Sequence, residues 1–292
     1  MKWEGNRESD NVEDRRDGGG GGGGGGFLGG GKIGIGSIII ALAASYFLGI
    51  NPLTVLGFLG GGDAPTAQVQ GPAHKPPVND QQAKFVSVVL ADTEDVWKDV
   101  FTKGGATYTA PKLVLFRGST PTPCGAGQSA MGPFYCPGDQ KVYIDLAFYD
   151  TLSRELGAPG EFAKAYVIAH EIGHHVQNLL GVDEKVSQAR QRLSEKDSNA
   201  LSVRVELQAD CYAGLWAKKA NESRQILQNG DIESAMNAAA KIGDDALQRA
   251  STGRVRPDSF THGTSEQRAR WFNTGLQTGS VKSCDTFSTR QL

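Results

Sequence analysis

The sequence predicts a mainly helical α+β domain with a small upstream sheet, and three observations support this class. Short segments rich in β-branched and aromatic residues lie between 113 and 145 and are bounded by turn residues. Beyond residue 160, apolar residues recur at helical spacing through several long segments. A few strands followed by a run of helices is the order of an α+β domain. We expect one such domain over residues 81–292.

The predicted elements follow one another from residue 82 onward. A helix with one apolar side is expected over 82–101, and a short strand over 113–116. Phe134-Tyr135 and the segment 142–145 flank a Pro-Gly-Asp-Gln turn, so they predict a hairpin. Further helices are expected at about 161–180, 184–196, 200–220, 231–249 and 265–273.

Composition and charge exclude one class of protein and predict a tail. The 292 residues include 30 Lys and Arg against 32 Asp and Glu, which argues against a protein that mainly binds nucleic acid. The 39 glycines include the unbroken run Gly18–Gly26. Residues 1–32 combine this run with polar residues and offer little apolar surface. We therefore expect them to form a disordered, Gly-rich tail.

One apolar stretch near the N-terminus predicts a transmembrane helix. Ile33–Ile50 carries no charge over 18 residues, and a helix of that length rises about 27 Å, close to the thickness of a bilayer core. A second apolar stretch, Leu53–Gly60, follows, and the anchor is placed at 33–59. The alternatives are a buried core helix and a cleaved signal peptide, because Ala41-Leu42-Ala43 resembles a cleavage site.

The flanks of this stretch predict its orientation. Several Lys and Arg residues precede it, and none lies between it and Lys75. The positive-inside rule then places the N-terminus in the cytoplasm and the domain outside. Residues 60–80 have the Pro- and Gly-rich composition of a linker. The expected protein crosses the membrane once.

The sharpest chemical signal is the segment His170-Glu171-Ile172-Gly173-His174, an H-E-x-x-H pattern within helical spacing. Histidines at i and i+4 project from one face of a helix, so both imidazoles can bind one Zn²⁺. Glu171 lies beside that face, where it can reach a water at the metal rather than the metal itself. A catalytic zinc site needs a third protein ligand and an open position.

The third ligand is predicted on a second helix, in Glu206-Leu207-Gln208-Ala209-Asp210. Glu206 and Asp210 are also at i and i+4, among apolar neighbours that leave little exposed face. We expect Glu206 to bind the metal and Asp210 to accept a hydrogen bond from the second nitrogen of a ligand histidine. The reverse assignment, with Asp210 as the ligand, stays open.

Two other histidines carry different expectations. His175 lies about 100° around the helix from His174, so it should not reach the same metal. His262 lies in a loop before a predicted helix. There it can act in catalysis by stabilising the oxyanion of a tetrahedral intermediate, or it can belong to a structural hydrogen-bond network. Both roles of His262 stay open.

Together these segments resemble the neutral zinc metallopeptidase family of membrane-anchored bacterial proteins. The matching stretches are 132–137, 140–145, 157–177, 206–214 and the segment around His262. The resemblance implies a zincin-like metallopeptidase fold, Zn²⁺ as cofactor at one ion per chain, and a peptide or protein substrate, at the bacterial cytoplasmic membrane. The pair Glu206 and Asp210 is also similar to that of thermolysin-like enzymes, a likeness of the site alone.

The four cysteines bear on the compartment. Cys124 and Cys136 flank a Gly-rich loop, and in an exported domain they predict a disulfide. Cys211 lies in the second metal helix and Cys284 lies near the C-terminus. Because distance is not visible in a sequence, the pairing of this second couple stays open.

The predicted function is a membrane-anchored zinc-dependent endopeptidase that hydrolyses peptide bonds through a zinc-activated water, with Glu171 as the general base. The alternative is a non-catalytic, zinc-stabilised membrane module that binds a partner protein. Glu171 favours the enzyme, because a purely structural zinc site has no use for a carboxylate beside an open coordination position.

Overall fold

Helices dominate the computed structural model, which describes residues 1–16, 73–128 and 132–292. Within these ranges the architecture is mixed α+β and mostly helical, as predicted, with two small sheets where one was expected. The strands are β1 (Val12–Asp14), β2 (Lys112–Phe116), β3 (Ser119–Thr122), β4 (Gly125–Gln128), β5 (Phe134–Cys136) and β6 (Lys141–Asp145). The α-helices are α1 (Gln81–Lys103), α2 (Ala147–Arg154), α3 (Glu161–Leu179), α4 (Val182–Arg190), α5 (Glu195–Arg224), α6 (Asp231–Lys241), α7 (Asp244–Thr252) and α8 (Ser265–Thr278).

The larger sheet is mixed and has the strand order β1-β2-β6-β5. β2 pairs in parallel with β1 and β6, and β5 pairs antiparallel with β6, which confirms the predicted hairpin. Side chains alternate between its faces: Leu113 and Leu115 join the main core, whereas Val114 and Phe116 join a smaller cluster. The main core therefore lies on one side of the sheet, against the helices.

The long helices α5 and α8 pack closely because each has a glycine where they cross. A methyl group at Gly214 of α5 would overlap the Phe272 carbonyl, and one at Gly275 of α8 would overlap the Cys211 carbonyl. The two backbones are therefore in direct contact. This crossing brings the buried face of α8 against the central helices.

Both cysteine pairs form disulfides. Cys124–Cys136 closes the loop between β3 and β5, as predicted. Cys211–Cys284 answers the question that the sequence left open, and it ties the segment after α8 to the middle of α5.

Residues 1–16 are part of the folded domain, so the prediction of a disordered tail over 1–32 is wrong for them. Val12 pairs with Leu113, and β1 becomes an edge strand of the sheet. Trp3 is 7% exposed and packs edge-on against Phe85 of α1. The segment is polar on average, but its few apolar side chains pack against the rest of the domain.

This packing also bears on the predicted membrane topology. The predicted anchor, Ile33–Ile50, lies outside the described residues, as does most of the predicted linker. None of the helices within the described ranges combines the length and the apolar character needed to cross a bilayer. Both ends of the intervening chain lie together, since Asp14 and His74 exchange backbone hydrogen bonds.

A single crossing would separate these ends by a bilayer core of about 30 Å. The strand pair β1–β2 could not form across that distance. The β1–β2 pairing therefore supports one shared side for both ends, whereas the predicted orientation across the membrane is not tested by the described residues.

The structure corrects several predicted helix boundaries. The helix expected over 231–249 is two helices, α6 and α7, separated at Ile242-Gly243. A methyl group at Gly243 would lie 2.5 Å from the backbone nitrogen of Ser265, the first residue of α8. The absence of a side chain at Gly243 therefore lets the start of α8 pack against this junction. The helix expected over 184–196 ends at Arg190, and Ser194 caps the next one. The sequence did not predict α2 or the β3–β4 hairpin, because both are short and of mixed polarity.

Candidate metal centre

Helix α3 carries the H-E-x-x-H pattern through the centre of the domain. His170 and Glu171 are 6% and 7% exposed, although both are polar. The spacing of one turn places the rings of His170 and His174 on one face, with centroids 4.8 Å apart. A buried helix that presents two imidazoles side by side needs a partner for them, because unpaired polar groups are costly in a protein interior.

Helix α5 provides that partner in Glu206. Its Oε2 lies 3.1 Å from Nε2 of His170, and its Oε1 lies 3.5 Å from Nε2 of His174. One ligand atom from each of the three residues lies within 4.8 Å of the others. Two ligands about 2.0–2.1 Å from a tetrahedral zinc ion are about 3.3 Å apart. The distances and the donor types, two imidazoles and a carboxylate, therefore fit zinc.

The close approach of α5 to α3 depends on Gly173, the second x of the H-E-x-x-H pattern. A methyl group at Gly173 would lie 3.0 Å from both Cα and the carbonyl oxygen of Ala209. A small residue on each helix lets the backbones meet here. Ala209 lies between Glu206 and Asp210, so this contact sets how both carboxylates reach His170.

Asp210 holds the other ring nitrogen of His170. Its Oδ1 lies 2.8 Å from Nδ1 of His170, on the side of the ring opposite Glu206. Tyr166, one turn earlier on α3, donates its hydroxyl to the same oxygen. The geometry therefore favours Glu206 over Asp210 as the residue facing the metal, and it gives Asp210 the orienting contact.

The charges of this network shift the pKa values of its members. Burial would raise the pKa of Asp210, but Arg268 and His170 lower it to about 2. Burial would lower the pKa of His170, but the Asp210 carboxylate and Glu206 raise it to about 10. Burial opposes ionisation of Glu206 as well, yet His174 and His170 hold its pKa well below the usual range.

Gln177 is the counterpart of Asp210 for the second histidine. Its Oε1 lies 2.8 Å from Nδ1 of His174, and its Nε2 donates to the Val205 carbonyl and to Gln208. The sequence analysis missed this residue. Gln177 follows His174 by three residues and therefore shares its helix face, so this spacing could have predicted the contact.

Arg268 of α8 was also missed. Its guanidinium donates from Nε to Oδ2 of Asp210 at 2.8 Å and from a terminal nitrogen to Oδ1 at 3.0 Å. Arg268 is 2% exposed and Asp210 is fully buried. This bidentate pair compensates the charge that a buried carboxylate would otherwise leave unpaired.

Glu171 lies on the same turn of α3 as the metal-facing histidines, but the surroundings of its carboxylate differ from theirs. Its carboxylate has no hydrogen-bond partner among the residues that the structure describes. Burial raises the pKa of Glu171. A buried carboxylate of this kind is suited to exchange a proton with a molecule bound beside it.

His262 lies in the loop before α8 and is held by Asp244. One oxygen of Asp244 accepts the backbone N–H groups of Thr261, His262 and Gly263, and the other lies 3.2 Å from Nδ1 of His262. The His262 ring is half exposed. Desolvation of the ring is outweighed by Asp244 and by the negative charge of Glu206, so the pKa of His262 is raised. The sequence analysis did not single out Asp244.

His175 turns away from the cluster, in agreement with its helical position. Its Nε2 lies 2.7 Å from the Thr109 carbonyl and its Nδ1 lies 3.1 Å from the Tyr135 hydroxyl. Burial lowers its pKa. The neutral ring bridges α3 to the sheet.

An H-E-x-x-H helix crossed by a second helix that brings a carboxylate to both imidazoles defines the site of a zinc metallopeptidase. The family model described as "Putative neutral zinc metallopeptidase" matches residues 1–287, and the chain belongs to this family. The match includes residues 1–16, which the structure places in the domain.

Two relatives have similar sequences. Uncharacterized protein YpfJ of Escherichia coli strain K12 is 53% identical over 290 residues, which are 98% of this chain and 99% of that protein. Uncharacterized protein Rv2575 of Mycobacterium tuberculosis strain H37Rv is 44% identical over 207 residues, 68% of each chain. No solved structure gives a significant match.

Proposed function

We propose that the protein is a zinc-dependent endopeptidase that acts on peptides or proteins and binds one Zn²⁺ per chain. The observation that carries this proposal is the convergence of His170, His174 and Glu206 within 4.8 Å, beside the buried Glu171. His170, His174 and Glu206 would hold the metal. A bound zinc ion would supply polarisation of the scissile carbonyl and a lowered pKa of water at the site.

Glu171 is the proposed general base. Its raised pKa brings it closer to neutral pH than an exposed glutamate, so it can both accept and return a proton. It takes a proton from the attacking water and gives it to the nitrogen of the leaving amine. The fixed position of α3 keeps this carboxylate beside the metal-binding face throughout.

His262 is the proposed donor to the oxyanion of the tetrahedral intermediate. Asp244 holds its Nδ1 and the loop backbone, which orients the ring and favours the protonated form. We expect His262→Ala to lower kcat roughly 10²- to 10³-fold in peptide hydrolysis, as for loss of an oxyanion donor. An undiminished kcat in a folded His262→Ala protein would contradict this role and leave His262 structural.

The zinc assignment is tested by elemental analysis and a peptide-digest assay on the purified full chain. We expect near-stoichiometric zinc and hydrolysis that a chelator abolishes. The double variant His170→Ala/His174→Ala should lose both, whereas His74→Ala, a histidine outside the cluster, should retain both. Full zinc in the double variant would overturn the ligand assignment. Stoichiometric zinc without hydrolysis of any peptide would favour the partner-binding module.

For localisation, we propose that residues 1–16 and 73–292 share one side of the membrane, the extracytoplasmic side. The β1–β2 pairing and the packing of Trp3 support the shared side. The two disulfides favour an oxidising compartment. Attachment to the membrane through the apolar segment 33–59 stays a proposal from the sequence.

Single cysteines at Glu4 and Asp258, both exposed, test this topology in intact cells with a membrane-impermeant thiol reagent. We expect both positions to be labelled without lysis. Labelling at Asp258 alone would contradict the shared side. Labelling of both positions only after lysis would contradict the extracytoplasmic assignment.

A further inference from the structure

Arg268 is a buried cation that joins three parts of the fold. It donates twice to Asp210 of α5, lies 3.3 Å from the Tyr166 hydroxyl of α3, and reaches the Ile242 carbonyl between α6 and α7. It is 2% exposed. A guanidinium fixed by this many acceptors holds one orientation, because its donors form a planar and rigid fork.

Asp210 is the shorter of two links between Arg268 and the metal centre, since a terminal nitrogen of Arg268 also lies 3.5 Å from Nδ1 of His170. Its Oδ1 contacts Tyr166, His170 and a terminal nitrogen of Arg268, and its Oδ2 accepts from Nε of Arg268. The contact to Nδ1 of His170 turns the opposite nitrogen of that ring toward Glu206. Without the Arg268 fork, Tyr166 and His170 alone would have to hold a fully buried carboxylate.

The same guanidinium reaches the segment that carries Asp244. The Ile242 carbonyl precedes Asp244 by two residues, and Asp244 holds the backbone and ring of His262. Arg268 therefore contacts both the support of a metal-facing histidine and the start of the helix that supports His262.

We propose that Arg268 is a positioning residue of the metal centre: it fixes Asp210, and through Asp210 the His170 ring, in the orientation that metal binding requires. This inference rests on the zinc site of the proposed function. It does not rest on hydrolysis, because its consequence is a change in metal affinity.

A partly buried ion pair at the end of α5, between Arg224 and Asp92, provides a control. Arg224 donates from Nε to Oδ2 of Asp92 at 2.8 Å, and Asp92 is 5% exposed. Arg224 lies 18 residues beyond Glu206, or about 27 Å along the helix. Breaking this pair destabilises the same helix without touching the metal-facing residues.

The test is the zinc affinity of the metal-free full chain, measured by competition with a chromophoric chelator, alongside circular dichroism to establish folding. Arg268→Met should weaken zinc binding roughly 10- to 100-fold, as for loss of an outer-sphere partner. Arg268→Lys should recover part of this loss, since a lysine restores the charge but not the fork. Arg224→Met should lower the melting temperature with zinc affinity unchanged.

A double-variant cycle with Asp210→Asn separates positioning from general destabilisation. If Arg268 acts through Asp210, the zinc affinity of Asp210→Asn/Arg268→Met should equal that of Asp210→Asn alone.

Wild-type affinity in folded Arg268→Met, or an equal loss in Arg224→Met, would overturn the proposal. Should Arg268→Met fail to fold, Arg268→Lys takes its place: wild-type zinc affinity in Arg268→Lys would overturn the proposal, and so would a measurable loss in Arg268→Lys that adds in full to the loss of Asp210→Asn in the double variant. A wild-type chain that binds zinc but hydrolyses nothing would count against the proposed function and leave this inference standing.

Discussion

Each metal-facing histidine directs its Nδ1 away from Glu206. The two histidines differ in the group that contacts this nitrogen. His170 is held by the carboxylate of Asp210 and His174 by the amide of Gln177. A carboxylate makes its imidazole more basic and therefore a stronger metal ligand, whereas an amide mainly fixes the ring orientation. The asymmetry predicts that His170 contributes more to metal affinity than His174.

Zinc affinity should depend on pH, because His170 must lose a proton to bind a metal. In the metal-free protein its pKa is raised to about 10, so the ring is protonated at neutral pH. Metal binding then releases that proton, and affinity should rise about tenfold or more per pH unit from about pH 7 to about pH 9, because His174, whose pKa is also raised, must be neutral as well. Titrations of the wild-type chain with buffered zinc across this range measure the slope.

The matched control for this slope is Asp210→Asn. This variant removes the carboxylate that contributes most to raising the pKa of His170, so its zinc affinity should vary less with pH. Equal slopes in the two proteins would mean that Asp210 does not set the protonation of His170.

The sequence identified the residues that repeat along one helix. His170, His174, Glu206 and Asp210 were predicted from i, i+4 spacing on two helices, and Glu171 from its place beside His170. The structure brings the two histidines together with Glu206 and Asp210. Arg268 and Asp244 were missed as parts of the site because their contacts depend on how α8 and the α6–α7 junction fold back. No spacing within one helix contains that information.

The metal centre also depends on a close crossing between α3 and α5. Gly173 meets the backbone of Ala209, and farther along α5 the pair Gly214 and Gly275 brings α8 closer still. These glycines are in helices, where they cost roughly 1 kcal/mol each relative to alanine. The close backbone contacts explain why glycine is needed at these positions.

Gly173→Val should push α5 away from α3 and weaken the metal site. Its side chain would overlap Ala209, and overpacking of this kind costs about 1–3 kcal/mol. We expect a lower melting temperature and a loss of zinc greater than that caused by Lys164→Val, which introduces a valine at a partly exposed position of α3. Full zinc occupancy in Gly173→Val would show that the crossing tolerates separation.

The fold class and the order of most elements could be predicted from the sequence, but the first and last residues of many elements could not. Helices with strong periodicity, such as α1 and α3, were predicted to within two residues. The strand β1 was missed because only three residues pair, and they lie in a polar segment. Its formation depends on the exposed edge of β2, which is distant in sequence.

Segments remote in sequence are tied together around the domain. The first residues pack on α1 and β2, and the last residues are attached to α5 by Cys211–Cys284. Gln208 also donates to the Cys284 carbonyl, and Arg204 donates to the Thr286 carbonyl. The C-terminal segment therefore braces α5 on both sides of Glu206.

Removing the Cys211–Cys284 disulfide should destabilise the protein more than removing Cys124–Cys136. The cysteines are 73 residues apart in the first pair and 12 in the second. Loop entropy gives about 4 kcal/mol for the long loop and about 3 kcal/mol for the short one. Urea unfolding of the two Cys→Ala double variants measures the difference, and a larger loss for the short loop would contradict this ordering.

The central claim, that this site hydrolyses peptide bonds with Glu171 as the base, is tested most directly by Glu171→Gln. Glutamine keeps the size of the side chain but cannot accept the proton of the attacking water. Zinc content and peptide hydrolysis should be measured on the same preparation of the full chain. We expect wild-type zinc content and folding, with hydrolysis abolished. Undiminished hydrolysis by the zinc-loaded variant would contradict the claim.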